Sequence, residues 1–208
     1  MFMPSTIWTV ILDYRQDPDK VKDLLARRYQ KPVYEFAVRQ GLHHEDAEDV
    51  TQEVFLRVCD EKFLRKADEI RGKFRTVLLA VAKHVIASFY RHRHAQMRDA
   101  RLEIPLGDMD LAQAAPSDPD FDQLWVQNLV SLAMERLRED RGIAAIRLQL
   151  AGRSYHDIAV ELGCKETDVT NSIHKAKDRL RHEIERMIAE YSAREDISEE
   201  IDSLRRFL

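Results

Sequence analysis

Apolar residues recur at three- and four-residue intervals along most of this chain, the period of a helix with one buried face. In the stretch "HHEDAEDVTQEVFLRV", Ala47, Val50, Val54 and Val58 fall on one side, which predicts a helix from about Glu45 to Cys59. Upstream, Asp17 and Pro18 form the cap and first residue of a helix that Pro32 is expected to interrupt and Gly41 to end. Downstream, a short piece around Lys62 to Ala67 and a turn about Gly72 lead to a long helix from about Phe74 to Ala100. Helical periodicity resumes near Gln123 and continues through "LWVQNLVSLAMERL", "GIAAIRLQLA" and "SYHDIAVELGCKETDVTNSIHKAKDRLRHEIERMIAEY". Strand-like alternation is short throughout, so the expected fold class is all-α.

Composition agrees with that class. Of 208 residues, 44% are hydrophobic and 34% charged, with only six glycines and six prolines, which suits helical domains better than a sheet or a disordered chain. The length favours two small domains over one large one. Between the helical halves, "EIPLGDMDLAQAAPSDPDFD" holds three of the six prolines and no positive charge, and reads as an acidic linker. Charge is segregated: Ile70 to Arg101 is strongly basic, Leu102 to Glu135 has no Lys or Arg, and basic residues return from Lys165 to Arg181. The first residues, "MFMPSTIWTVILDYRQD", form an apolar patch without a basic leader region, read as a short amphipathic helix rather than a signal or a span. Cys59 and Cys164 are far apart at positions that want a small apolar residue, which favours buried reduced thiols and a cytoplasmic setting.

The second basic segment has the spacing of a helix-turn-helix. Ser154 and Asp157 form a cap, Ala159 is small where two helices must cross, Gly163 supplies the turn, and Val169 follows six residues later. Val169, Ile173, Ala176 and Leu180 make the buried stripe of the next helix. Its other face presents Thr167, Thr170, Asn171 and His174, flanked by Lys175, Lys177, Arg179 and Arg181. Short polar side chains can reach base edges and the cations can neutralise phosphates; Asn171 is the best candidate for a bidentate contact to adenine. The alternative is a helical hairpin with a solvated face, since Asp168 and Asp178 would repel phosphate.

The long helix of the first basic segment is apolar over most of its circumference, through Phe74, Val77, Leu78, Val81, Val85 and Phe89. The narrow remaining face carries Thr76, Ala80, Lys83, Ala87 and Tyr90, edged by His84 and Arg91. Small residues let a nucleic-acid backbone approach, while cations and aromatics hold phosphates and unstacked bases. His84, His92 and His94 lack a supporting Cys or carboxylate, so no metal site is expected.

On the helix from Glu45, the side opposite the buried stripe carries Glu45, Asp49, Gln52, Glu53 and Leu56. Acids alone describe a solvated face. An apolar Leu56 ringed by acids instead resembles a binding anchor with a charged rim, which would repel DNA and accept a basic protein. Thr51 lies near the buried stripe, which disfavours a phosphorylation switch there.

Taken in order, "RRYQKPVYEFAVRQGLHHEDAEDVTQEVFLRV", "GKFRTVLLAVAKHVIASFYRHR", an acidic linker and "GRSYHDIAVELGCKETDVTNSIHKAKDRLR" resemble the extracytoplasmic-function class of bacterial RNA polymerase sigma factors. The resemblance implies a region-two-like domain over residues 1–101, a linker over 102–122, a region-four-like helix-turn-helix domain over 123–190 and an amphipathic tail over 191–208. It implies that Asp46, Asp49, Gln52, Glu53 and Leu56 bind the clamp of the RNA polymerase core. Phe74, Arg75, Lys83, His84, Tyr90 and Arg91, with the loop from Asp68, would hold the displaced strand of the minus-ten element. Thr167, Thr170, Asn171, His174, Lys175, Lys177 and Arg181 would meet the minus-thirty-five element of promoter DNA. No enzyme activity, cofactor or membrane partner is implied; an anti-sigma protein or a regulatory kinase is a candidate regulator.

The chain departs from the family pattern in places. Val77 stands where an aromatic is frequent and His84 where asparagine is common, so a minus-ten preference is not transferable. "VTNSIHKA" is less basic than usual, implying a weaker phosphate grip and a shallower salt dependence. In the tail, Asp196 and Glu199 make a capping pair, and Ile197, Ile201, Leu204 and Leu208 share a face that either docks on one of the domains and holds a compact, less active state or belongs to a frayed or dimerising end. A DNA-binding regulator that acts without polymerase is the alternative reading, and a purely structural protein is the third.

Overall fold

In a computed structural model of the chain, residues 18–60, 74–96 and 118–189 are described. Among them every regular element is an α-helix. The expected amino-terminal helix, the piece at Lys62 to Ala67, the loop from Asp68, the linker up to Ser117 and the carboxy-terminal tail lie outside the described residues.

Helix α1, Pro18–Arg39, runs straight through Pro32. The expected interruption does not occur, and the reason lies elsewhere in the chain. Proline has no N–H to give to the carbonyl four residues back, here that of Arg28. The side-chain amide of Asn128 donates to that carbonyl at 2.9 Å and replaces the lost bond. Both residues are buried, so neither group has water as an alternative partner. Helix α1 then closes as expected at Gly41, with the Leu42 N–H bonded to the Ala37 carbonyl and the Gly41 N–H to that of Val38, a reciprocal carboxy-terminal cap.

Helix α2, His44–Val58, buries Ala47, Val50, Thr51, Val54 and Val58. The stripe read from the spacing is therefore the packed one. Helix α3, Phe74–Gln96, packs against α2 and α1 and buries Phe74, Val77, Leu78, Leu79, Val81, Ala82, Val85 and Ile86. These three helices form one end of the core.

Helix α4, Pro119–Arg136, begins four residues earlier than the linker boundary read from the sequence. The Asp118 carboxylate accepts from the Asp120 N–H and Pro119 takes the first helical position, a start signal that proline-rich surroundings disguised. Two short helices and one long one complete the described fold: α5, Arg141–Leu150, α6, Tyr155–Leu162, and α7, Glu166–Ala189. Helix α7 crosses α5 closely. A Cβ on Gly142 would stand 2.3 Å from the Ser172 carbonyl oxygen, so only glycine permits that approach.

The two ends share a single core, because α1 packs on α4 as well as on α2. Phe36 of α1 meets Phe121 of α4 edge-on, ring centroids 5.5 Å apart, and both are fully buried. The Arg28 guanidinium donates to the carbonyl of Met187 at 2.8 Å. That carbonyl belongs to α7. One residue of α1 thus accepts from α4 and donates to α7.

Helix α7 is tied down by two carboxylates. Asp140 caps α5 through the N–H groups of Gly142 and Ile143 and pairs with Arg179 at 2.6 Å. Glu183 pairs with Arg136 of α4 at 3.0 Å and with Arg186 at 2.8 Å. Burial opposes ionisation of both acids, but the Arg179 and Gly142 bonds to Asp140, and the Arg186 and Arg136 bonds to Glu183, outweigh it and hold each carboxyl below its usual range.

Two measurements follow from this packing. Asn128→Leu should cost about 1–3 kcal/mol by orphaning the Arg28 carbonyl. In a Pro32→Ala background, where the helix supplies its own N–H, the same change should cost about 1 kcal/mol less; urea denaturation of the four chains checks the coupling. A carboxyl whose pKa is lowered by folding stabilises above its unfolded pKa, about 4, and loses that contribution as pH falls through the folded value. Stability should therefore decline as the pH falls below about 4, and the cost of Asp140→Asn, about 1–2 kcal/mol at pH 7, should shrink over the same range.

Candidate functional site

Helix α2 begins with Glu45 and Asp46 in its first turn, favourable at a helix amino terminus. Because its valines are buried, the polar side has to face outwards. Asp49 and Gln52 are exposed, and Leu56, one turn further along, is 70% exposed. The other two residues expected on this face have partners inside the chain. Glu53 accepts from Arg57 at 2.5 Å, and Asp46 lies 3.4 Å from the Arg93 guanidinium of α3. Gln52 also lines a groove with Arg27, Gln30, Lys31, Tyr34 and Asn128. Thr51 is buried and its hydroxyl donates to the Ala47 carbonyl at 2.7 Å, which keeps it from a modifying enzyme.

The face of α3 is arranged differently from the expectation. Phe74 is buried against Tyr29, ring centroids 5.3 Å apart; it is a core residue here and is not presented to a nucleic acid. Arg75 is also buried. Its guanidinium pairs with Asp122 at 3.1 Å and stacks 4.4 Å over the Trp125 ring. Lys83 pairs with Asp118 at 2.7 Å. The Tyr90 hydroxyl donates to the Gln40 carbonyl at 2.9 Å and so braces the end of α1. Arg91 is exposed.

His84 is part-buried. Burial, then the charges of Arg57 and Arg91, push its pKa below the ordinary histidine value. At pH 7 it is a neutral donor and acceptor. Lys83 lies beside it, occupied by α4. The sequence reading missed Asp118 and Asp122, which were assigned to a linker; the cap Asp118 followed by Pro119 was the signal that placed them on a helix.

On α7 the recognition-type face is open. Gly163, at φ +61, ends α6 in the left-handed conformation that favours glycine, and Ser154 with Asp157 forms a reciprocal capping box at its start. Val169, Ile173, Ala176 and Leu180 are buried as the spacing predicts. Thr167, Thr170, Asn171, His174, Lys175, Lys177 and Arg181 are all exposed. Intramolecular contacts to this group are few: Thr170 donates to the Glu166 carbonyl at 3.2 Å, and Asp178 lies 3.4 Å from Arg181 and 3.9 Å from His174. An outward row of hydroxyls, an amide and cations is equipped for base edges and phosphates. Among the described residues no cluster of His, Cys, Asp or Glu could hold a metal ion, and no helix is long and apolar enough to cross a membrane.

Residues 25–96, covering most of α1 and all of α2 and α3, match the family described as Sigma-70 region 2. The chain is similar to the ECF RNA polymerase sigma factor SigC of Mycobacterium tuberculosis, 32% identical over 134 residues, 64% of this chain and 68% of the relative. It is also similar to the ECF RNA polymerase sigma factor SigE of Mycolicibacterium smegmatis, 26% identical over 163 residues. That alignment takes in 76% of this chain and 60% of SigE, so the chain spans less than two thirds of that relative's length. A third relative, the RNA polymerase sigma-H factor of Pseudomonas aeruginosa, is 23% identical over 175 residues, 81% of this chain and 88% of its own. Alignments of that length reach well past residue 96 into the half of the chain that carries α7.

Proposed function

This chain belongs to the extracytoplasmic-function RNA polymerase sigma factors, and we propose that it binds the polymerase core through α2 and directs promoter-specific initiation with α3 and α7. The observation that carries the core-binding step is Leu56, 70% exposed on a helix whose neighbouring outward positions are Asp49 and Gln52. A large apolar side chain left in water is a cost unless a partner covers it, and the acids beside it select a basic partner over nucleic acid. The clamp of the largest polymerase subunit is the partner proposed. Asp46 and Glu53, already engaged with Arg93 and Arg57, set the helix surface more than they contribute contacts. An anti-sigma protein would compete for the same face.

In this reading, residues up to 101 form the unit that holds the displaced minus-ten strand, with Arg75, Lys83 and Arg91 as cations and neutral His84 as a hydrogen-bonding group. The second unit starts at Pro119 and reads the minus-thirty-five element by laying α7 in the major groove. Thr167, Thr170, Asn171 and His174 face the bases; Lys175, Lys177 and Arg181 face phosphates. The protein supplies binding and positioning, and the bond-forming chemistry belongs to the polymerase.

Two experiments test this. Core polymerase should co-purify with the full chain, and Leu56→Glu or Asp49→Lys should weaken that capture at least tenfold; unchanged capture would overturn the α2 assignment. Transcription in vitro with core polymerase and fragmented genomic DNA should give discrete starts. Asn171→Ala should then cost about 1–3 kcal/mol of discrimination at one upstream base pair, read by competition between promoter variants. Binding to DNA without any capture of core would mark the chain as a regulator acting apart from polymerase.

A further inference from the structure

The amino-terminal turn of α4 sits on the cations that the strand-holding face would use. Asp118 meets Lys83 at 2.7 Å, Asp122 meets Arg75 at 3.1 Å, and Asp120 lies 3.9 Å from Arg39 of α1. Three acids spaced by two residues thus face three bases drawn from α1 and α3. Arg75 is the telling member, because its side chain is only 8% exposed and its lid is Asp122 and Trp125. A phosphate could not reach it while α4 stays in place.

We propose that the acidic opening of α4 is an internal stand-in for nucleic-acid phosphates, which keeps the strand-holding face of α3 closed until α4 lifts away. The proposal rests on the reading of α3 given above. Beyond the charge pairs, the junction carries a second feature of a contact built to separate. Trp125 Nε1 is buried beneath Arg75 and, among the described residues, has no hydrogen-bond partner. Closing the junction therefore leaves a donor unsatisfied that opening would hand back to water. The acids are also placed by a local rule: Asp118 has to cap α4, and Asp122 follows one turn later on the same side, so the turn that starts the helix also delivers the charges.

If the binding-competent form is a minor population, apparent affinity falls by that fraction, so removing the acids should restore it. The assay is fluorescence anisotropy of a fluorescein-labelled fifteen-nucleotide oligo-dT at low salt, with the free full-length chain. Asn caps a helix as well as Asp, so Asp118→Asn with Asp122→Asn removes the charges and keeps the helix start. This double variant should bind at least tenfold more tightly than the wild type. Glu135→Gln with Glu139→Gln makes the same change in net charge away from the junction and should stay within twofold. Adding Lys83→Ala to the junction variant should abolish the gain, which places the oligonucleotide on α3 rather than α7. In a Trp8→Phe chain, oligo-dT should raise acrylamide quenching of Trp125.

A junction variant that binds no better than the Glu135/Glu139 control overturns the proposal, as does a gain that survives Lys83→Ala. If the double variant fails to fold by circular dichroism, Asp122→Asn alone is read by the same criteria. Should every chain bind oligo-dT alike while the wild type still captures core polymerase, the latch falls and the sigma-factor reading stands. Absence of oligo-dT binding by all chains would remove the strand-holding role of α3 and the latch with it.

Discussion

A proline in the middle of α1 leaves one carbonyl without its helical donor, and the way that carbonyl is satisfied joins the two ends of the molecule. An unpaired buried carbonyl costs roughly as much as a lost hydrogen bond. Here the donor comes from α4, through Asn128, a hundred residues away in sequence. The same residue, Arg28, gives its guanidinium to the carbonyl of Met187 in α7. Three helices are therefore in register about one residue: α1 cannot slide along α4, nor α7 along α1, without exposing a buried polar group to apolar surroundings. Once Asn128 is fixed, the start of α4 lies about 15 Å away along its axis, at 1.5 Å per residue, which places Asp118 and Asp122 over the cations of α3.

The composition of this junction matters as much as its position. An apolar seam of the same extent would be stabilised in proportion to its area, with little dependence on orientation or salt. Here Phe36 and Phe121 supply an apolar centre, while the periphery consists of ion pairs whose partners are individually well solvated when apart. Such pairs add little net stability, because desolvation offsets their attraction, but they are specific about which groups meet. Arg75 illustrates the balance. Its charge is tolerated in a buried site by Asp122 on one side and the Trp125 ring on the other, yet both partners belong to α4. Half of the molecule thus provides the environment that makes a cation of the other half comfortable.

Much of this was legible in the sequence wherever a local rule governs. The buried stripes of α2 and α7 follow from the 3.6-residue period, and the turn at Gly163 from the need for a positive φ. The exposed row on α7 was legible for the same reason: once Val169, Ile173 and Leu180 point inwards, Asn171 and its neighbours must point out. What could not be read is what depends on distant partners. Pro32 looked like a helix break because the rescuing amide of Asn128 lies in another part of the chain. Asp118 and Asp122 looked like linker because prolines flank them, although the first of those acids is a good cap. The lowered pKa of His84 was not legible, because its burial beside two arginines is a property of the packed helices. Arg75 looked available because the opening of α3 is not marked by anything that foretells α4 above it; Phe74 was given a strand contact only by the family resemblance, although the spacing already placed it on the apolar face.

On the proposed reading, the contrast between the faces of α3 and α7 gives the structure its functional asymmetry. The row on α7 presents its side chains outward with few internal contacts, so its conformational cost of binding is that of ordering single side chains. The face of α3 has its principal cations committed to carboxylates of the same chain, and any ligand there must first match what Asp118 and Asp122 provide. Phosphate groups can do so, being anionic and able to accept several hydrogen bonds at once, but only where enough of them act together to displace two acids and to offset the loss of the Phe36–Phe121 contact and of the Asn128 bond to the Arg28 carbonyl. A single exposed phosphate does not meet that condition. A strand held along the face by a third party does, since its successive phosphates arrive without a further association cost. On the proposed reading that third party is the polymerase, and the junction that completes the fold of the free chain would make strand capture conditional on assembly.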